Sequence, residues 1–227
     1  MVPPDLIEKD NFSISQRSRS FSTVPNVRNN VNIYYNGSIH TVNRQSYIYT
    51  VLSSELYNAS YYISRGLSNS QVNNLFCAQA IAANTFLEYS LSVYSNHSSY
   101  DVCSTTCCQA YDPTKVTQVA VDAAASIFYS AGGVNRTDIV MYKTTSAMYD
   151  YIWGAFFSSC GNSGTKSHSS QPALRAVSCS DLNSGYGGHR YGFCQMGAAK
   201  RAKSGNTASA ILLYYYSNCC IASCPMN

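Results

Sequence analysis

Ten cysteines are the most reactive side chains in the sequence, and their spacing admits two chemistries. Cys103, Cys107 and Cys108 form one tight group, Cys219, Cys220 and Cys224 another, while Cys77, Cys160, Cys179 and Cys194 stand apart. Grouped thiols either pair as disulfides or hold a structural zinc ion. Structural zinc usually shows paired Cys-x2-4-Cys and His spacing. Here only His97 lies near either group, at a spacing that fits no common finger. The cysteines are therefore read as a disulfide framework, with no metal and no cofactor, and as the mark of an oxidising compartment outside the cell or at its surface. Their pairing does not follow from their order. Asn-x-Ser/Thr triplets begin at Asn11, Asn36, Asn58, Asn96 and Asn135 and permit glycosylation without requiring it.

The chain that carries these groups has 227 residues, enough for one sizeable core plus a separate arm. Only 11% of it is charged, against about 25% in ordinary soluble domains. Tyrosine appears 20 times and tryptophan once. A surface so poor in charge stays hydrated through hydroxyls and amides, and tyrosine is favoured where protein surfaces meet. Copies of the same chain are thus an expected partner, with glycan as another. A formal net charge of +4, scattered along the chain, does not point to nucleic acid. No run of about 18 apolar residues exists, so no membrane span is expected. Met1-Val2-Pro3-Pro4 leads into a polar segment unlike a secretory leader, which sits against the compartment that the cysteines imply.

Residues 1–30 hold few large apolar side chains and two short alternating stretches, Phe12–Ser15 and Phe21–Val24. They read as an extended arm that could add a strand to a neighbour's sheet. Residues 31–227 read as one α+β domain with antiparallel strands, a central helix and C-terminal helices. Strands are expected at Val31–Tyr35, Ser46–Leu52, Val116–Tyr129, Asp138–Tyr142, Tyr151–Ser159 and Ala173–Ser178. A helix is expected from about Asn73 to Tyr94, where Leu75, Gln79, Ala82, Ala83, Phe86 and Leu87 share one face. A Gly- and Ser-rich loop follows at 160–171 and a Gly-rich turn at Gly185–Gly192. Two helices close the chain, one over Gln195–Lys203 and one from an N-cap at Thr207 to Tyr216.

Several segments, in this order, resemble the stage II sporulation protein D / amidase-enhancer (SpoIID/LytB) domain family. Cys77-Ala78-Gln79-Ala80-Ile81-Ala82-Ala83-Asn84-Thr85 resembles its central helix, KAQAVAART, and Gln109-Ala110-Tyr111 its Q-x-Y element. Ser158-Ser159-Cys160-Gly161, with Thr165 after it, resembles H-S-x-C-G-G-x-T. Pro172–Val177 resembles P-Y-L-x-x-V, and Gly188-His189-Arg190-Tyr191-Gly192-Phe193-Cys194-Gln195 resembles G-H-G-V-G-M-S-Q. Gly197-Ala198 through Tyr214-Tyr215-Tyr216 continue the pattern. The resemblance implies a lytic transglycosylase that cleaves peptidoglycan glycan strands with one carboxylic acid, a proton donor that then serves as base. That acid lies in an E-M/L element before the central helix, so Ser54-Glu55-Leu56 makes Glu55 the candidate. Gln79, His189 and Gln195 are the implied substrate-side residues.

The chain departs from the family pattern in four places. A Tyr- and Asn-rich insertion at 59–72 separates Glu55 from Gln79. The loop His that some members associate with metal is Phe157, so a family-type zinc site is not expected. Arg190 and Tyr191 replace the residues that let backbone approach a ligand. Cys194 replaces Ser and is a candidate to pair with Cys160. Taken with the composition, these changes favour an extracellular structural subunit that self-assembles into a surface filament or coat on a rebuilt SpoIID-like groove. The alternative is an active lytic transglycosylase with Glu55 as acid and base, and the third reading is a non-catalytic carbohydrate-binding domain.

Overall fold

The computed structural model describes residues 25–93, 97–105, 107–145, 148–182 and 185–226. The first 24 residues of the expected arm lie outside this set. Residues just after them are already tied down: Val27 donates its N–H to Pro225 O at 2.8 Å and bridges Met226. The molecule is α+β, as expected.

Strands β1 (Asn30–Tyr35) and β2 (Ser38–Asn43) form a tight antiparallel hairpin, and the short β3 (Val102–Cys103) joins β1 in parallel. The hairpin turns at Asn36 and Gly37, both with positive φ, which suits an Asn-Gly pair. Helix α1 (Arg44–Glu55) follows at once, capped by Asn43, whose side chain accepts the Gln45 N–H at 2.9 Å. This corrects the strand expected at Ser46–Leu52. Tyr47, Ile48, Val51 and Leu52, all fully buried, repeat as one helical face. The β-preferring types at these positions lose to that burial and to the cap.

The insertion at 59–72 builds the five-residue α2 (Ala59–Ile63) and starts the central helix α3 (Asn69–Ser92). Ser68 and Gln71 close a reciprocal capping box at the start of α3, which therefore begins before Asn73. Fourteen residues of α3 are buried, so it is the axis on which the other elements pack. The expected strand at Val116–Tyr129 is instead mostly α4 (Gln118–Ile127), which buries Ala120, Ala123, Ala124 and Ile127 at i, i+3, i+4, i+7 spacing. It runs into β4 (Phe128–Ala131), which turns through Gly132-Gly133 into β5 (Val134–Thr145).

Strand β5 pairs antiparallel with β4, with β6 (Met148–Tyr151) and, on its other edge, with β11 (Cys219–Pro225). Between β6 and β11, regular pairing is confined to two-residue strands. β7 (Phe156–Phe157) runs parallel to β10 (Phe193–Cys194), and β8 (Ser159–Cys160) antiparallel to β9 (Tyr186–Gly187). Residues 173–178 form no strand. They are held in a loop by Thr165, which donates its N–H to Val177 O at 2.9 Å and accepts the Val177 N–H on its hydroxyl at 2.8 Å. The closing helices fall where expected, α5 at Gln195–Lys203 and α6 at Ala208–Tyr215 with Thr207 as N-cap. Among the described residues no helix is long and apolar enough to cross a membrane.

Two devices hold the sheets on α3. Arg44 is fully buried; it meets Glu88 at 2.8 Å and Asn84 Oδ1 at 2.7 Å, while Asn84 Nδ2 reaches Thr137 Oγ1 and Asp138 O at 2.9 Å. Gly154 presses its backbone on α3, where a Cβ would lie 2.6 Å from Phe86 N and 2.7 Å from Ala82 O.

Candidate functional site

Glu55 is the last residue of α1, and the helix end gives it a specific job. Its Oε1 accepts the Ala110 N–H at 2.7 Å. Ser54 Oγ accepts the Asp112 N–H at 2.9 Å, and Ser53 Oγ the Thr117 N–H at 3.1 Å. Three consecutive side chains thus hold the backbone of 110–117 against the C-terminal turn of α1. Partial burial pushes the Glu55 carboxyl above the usual carboxylate range; the Ala110 N–H and the neighbouring Gln195 side chain pull the other way and do not cancel it. Gln195 opens α5 and is buried, with its side chain against the Glu55 carboxyl.

The Gln109-Ala110-Tyr111 element acquires a physical meaning from this arrangement. Gln109 Oε1 accepts from the fully buried Tyr47 hydroxyl at 2.9 Å, and its Nε2 donates to Ala83 O at 3.3 Å. Tyr111 stacks on Tyr47 with ring centres 5.6 Å apart. The two flanking side chains are therefore locked into the core, and the Ala110 N–H between them is aimed at Glu55. Tyr47 and Ala110 were not singled out in the sequence. The Q-x-Y element was visible there, but no spacing rule joins residue 110 to residue 55.

The other implied site residues have surroundings of their own. Gln79 is fully buried on α3, and neither amide atom has a hydrogen-bond partner among the described residues. His189 enters an aromatic cluster with Trp153, Phe157 and Tyr191, at ring distances of 5.6, 5.7 and 5.6 Å, and His168 packs on Trp153 and Tyr191. Burial pulls His189 down to about 4, helped by His168 and opposed by a hydrogen bond with the Phe156 backbone. Its Nδ1 accepts the Tyr191 N–H at 3.0 Å, so the neutral ring carries its proton on Nε2. Arg190, at φ +69°, turns its guanidinium onto Gly164 O, with Nε at 2.9 Å and Nη2 at 2.6 Å. Its bulk goes to the 163–164 loop.

The cysteines fall into groups that their order did not announce. Cys103 and Cys107 lie within disulfide-bonding distance, and the other eight are not joined to one another. His97 folds onto this pair and Cys108: His97 Nε2 lies 3.4 Å from Cys108 Sγ and 3.8 Å from Cys107 Sγ, and the latter two sulfurs are 3.9 Å apart. The edges of a tetrahedral zinc site with three sulfurs and one imidazole measure about 3.5–3.8 Å. The sulfurs of Cys103 and Cys107 are closer than such an edge, so a zinc ion would need that pair reduced and drawn apart; the four residues are near enough to one another to hold it then, although their spacing fits no common finger. Cys160, Cys179 and Cys194 meet in a second, buried group. Cys219, Cys220 and Cys224 lie along β11, and Cys77 on α3 contacts Ser126. Of the triplets, Asn36 and Asn135 are exposed, Asn58 caps α2 by accepting the Tyr61 N–H at 3.0 Å, and Asn11 and Asn96 lie outside the described residues.

No curated protein matches the chain. Residues 35–142 match the family model SpoIID, described as stage II sporulation protein, a family associated with peptidoglycan-related lytic activity. That span contains Glu55, the central helix and the Q-x-Y element; the segments read at 158–216 lie beyond it. By the ordered motifs and this match, the chain is SpoIID-like, and the similarity to the family model runs over residues 35–142.

Proposed function

We propose that the chain acts on peptidoglycan glycan strands as a lytic transglycosylase, with Glu55 first as acid and then as base. One observation carries this reading: a carboxyl at a helix end, partly withdrawn from water and held by the Ala110 N–H, with its pKa raised. A general acid must keep its proton near working pH, and desolvation is the physical means of keeping it. Oε1 is engaged by Ala110, which leaves Oε2 to carry the proton.

The proton passes to the glycosidic oxygen as the C1–O bond breaks, and the leaving sugar departs with a free hydroxyl. The C6 hydroxyl of the remaining sugar closes on C1 and yields its proton to the Glu55 carboxylate. The product is a 1,6-anhydro sugar, no water is consumed, and Glu55 ends protonated. One carboxyl suffices, unlike the paired carboxylates of most glycosidases. Gln195, whose side chain sits beside the carboxyl, is suited to donate to a sugar hydroxyl. The His97 cluster borders Gln109-Ala110 directly in sequence. A zinc ion held there by His97, Cys103, Cys107 and Cys108 would serve as a structural clamp on the segment that orients Glu55. A substrate of this kind places the protein at a cell wall or cell surface.

The test is incubation with purified peptidoglycan and mass spectrometry of the released muropeptides. Anhydro-muropeptides are expected, falling by about 10²-fold or more with Glu55→Gln. Absence of release by the unmutated protein, or equal release by the variant, would refute the assignment.

Self-assembly remains a second reading, favoured by one feature. Strand β2 is the free edge of its sheet, its side chains are largely exposed, and Ile39 is 49% exposed on it. An apolar edge strand is a template for pairing with another chain. Sedimentation or electron microscopy of purified protein should then show assemblies that Ile39→Lys reduces; monodisperse single chains at high concentration would remove this reading.

A further inference from the structure

The Glu55 mechanism makes no use of the thiols of Cys160, Cys179 and Cys194. The three thiols come from β8, from the loop before Asp181, and from the N-cap of α5, and all three are buried. Their sulfurs lie within 4.8 Å of one another. A disulfide would employ two of them and leave the third thiol packed against the bond. Three convergent sulfurs from three segments are the geometry of a thiophilic metal site. We propose that Cys160, Cys179 and Cys194 bind a zinc ion through their three thiolates.

The surroundings are built for such a charge. Cys194 Sγ accepts the Gly197 N–H at 3.3 Å at the start of α5, so the helix terminus faces the sulfur. A Cβ at Gly197 would collide with Cys179 Sγ and Tyr215 Oη, so only glycine leaves the group its space. Tyr215 Oη sits 3.3 Å from Cys179 Sγ, close to the sulfur–oxygen edge of about 3.5 Å in a zinc tetrahedron, and can complete the coordination. Asp181 supports Cys160 from behind. Its Oδ2 accepts from Ser159 Oγ at 2.7 Å, Cys160 N at 2.9 Å and Gly161 N at 3.0 Å, and lies 3.3 Å from Cys160 Sγ. Its Oδ1 is buried without a hydrogen-bond partner, and none of the ion pairs among the described residues involves it. The carboxylate thus holds the Cys160 loop in place from outside the three-sulfur group.

The experiment uses the full chain with Cys108→Ser, which disables the His97 cluster, purified under reducing conditions and loaded with zinc, then with cobalt(II). One zinc per chain is expected by elemental analysis, along with intense cobalt bands of tetrahedral thiolate ligation. Adding Cys179→Ser should lower zinc affinity at least tenfold, while Cys77→Ser, outside both clusters, should leave it unchanged. Should Cys179→Ser fail to fold, thiol modification of the Cys108→Ser chain decides: release of one zinc as three protected thiols react supports the site. A reduced, folded Cys108→Ser chain that takes up no zinc overturns the proposal. So does peptide mapping of the native protein that finds two of the three cysteines joined.

Discussion

Glu55 shows how little of a functional group's behaviour resides in the residue itself. Its identity as the candidate acid came from the Ser54-Glu55-Leu56 resemblance; its raised pKa comes from burial that only the fold creates. Activity should therefore require protonated Glu55, and the rate should fall as pH rises through its folded-state pKa, which a pH–rate profile will display as the basic limb. Stability should follow a related rule. A carboxyl whose folded pKa lies above its ordinary 4.5 binds more protons folded than unfolded between the two values, so stability falls as pH rises through that window. Urea unfolding as a function of pH should show this slope in the unmutated protein and its loss in Glu55→Gln. Tyr47→Phe tests the neighbouring lock. Removing the hydroxyl that donates to Gln109 Oε1 strands a buried acceptor, at a cost of about 1–3 kcal/mol, and should lower activity by loosening the Ala110 segment without touching Glu55.

At the level of elements, the fold rests on polar and steric fits to α3 as much as on apolar burial. Arg44→Met should destabilise the protein by about 3–5 kcal/mol, because Glu88 would remain buried without its partner; chemical denaturation measures it. Replacing both, as Arg44→Met with Glu88→Leu, should recover part of that loss. Gly154→Ala should cost about 1–3 kcal/mol by forcing the loop away from the α3 backbone, seen as a lower melting temperature. The two expected strands that fold as helices share a cause. At 46–52 the β-branched and aromatic residues, and at 118–127 the valines and isoleucine, argue for strand, but burial of one face, joined in 118–127 by the helix preference of its alanines, decides the helix. Helices α5 and α6 were legible because their boundaries are marked by local chemistry, with Thr207 accepting the Ala210 N–H at 3.3 Å and Gly205 at φ +86° between them.

Across the whole molecule, the order of the family-like segments carried the fold class and the central helix, because both depend on patterns that are local in the chain. Composition carried the cysteine richness and the low charge, and neither of these names a partner. The functional assembly was decided elsewhere. Ala110 reaches Glu55 across 55 positions of sequence, His97 reaches two cysteines through a returning loop, and Cys160, Cys179 and Cys194 converge from three separate segments. Such encounters depend on packing around α3, and packing is a property of all the elements at once. What the sequence determined alone was which side chains are present and which short stretches have a preferred shape. The tertiary structure decided which of them lose water, which gain a hydrogen bond and which share a site, because desolvation and distance exist only once the chain has closed on itself.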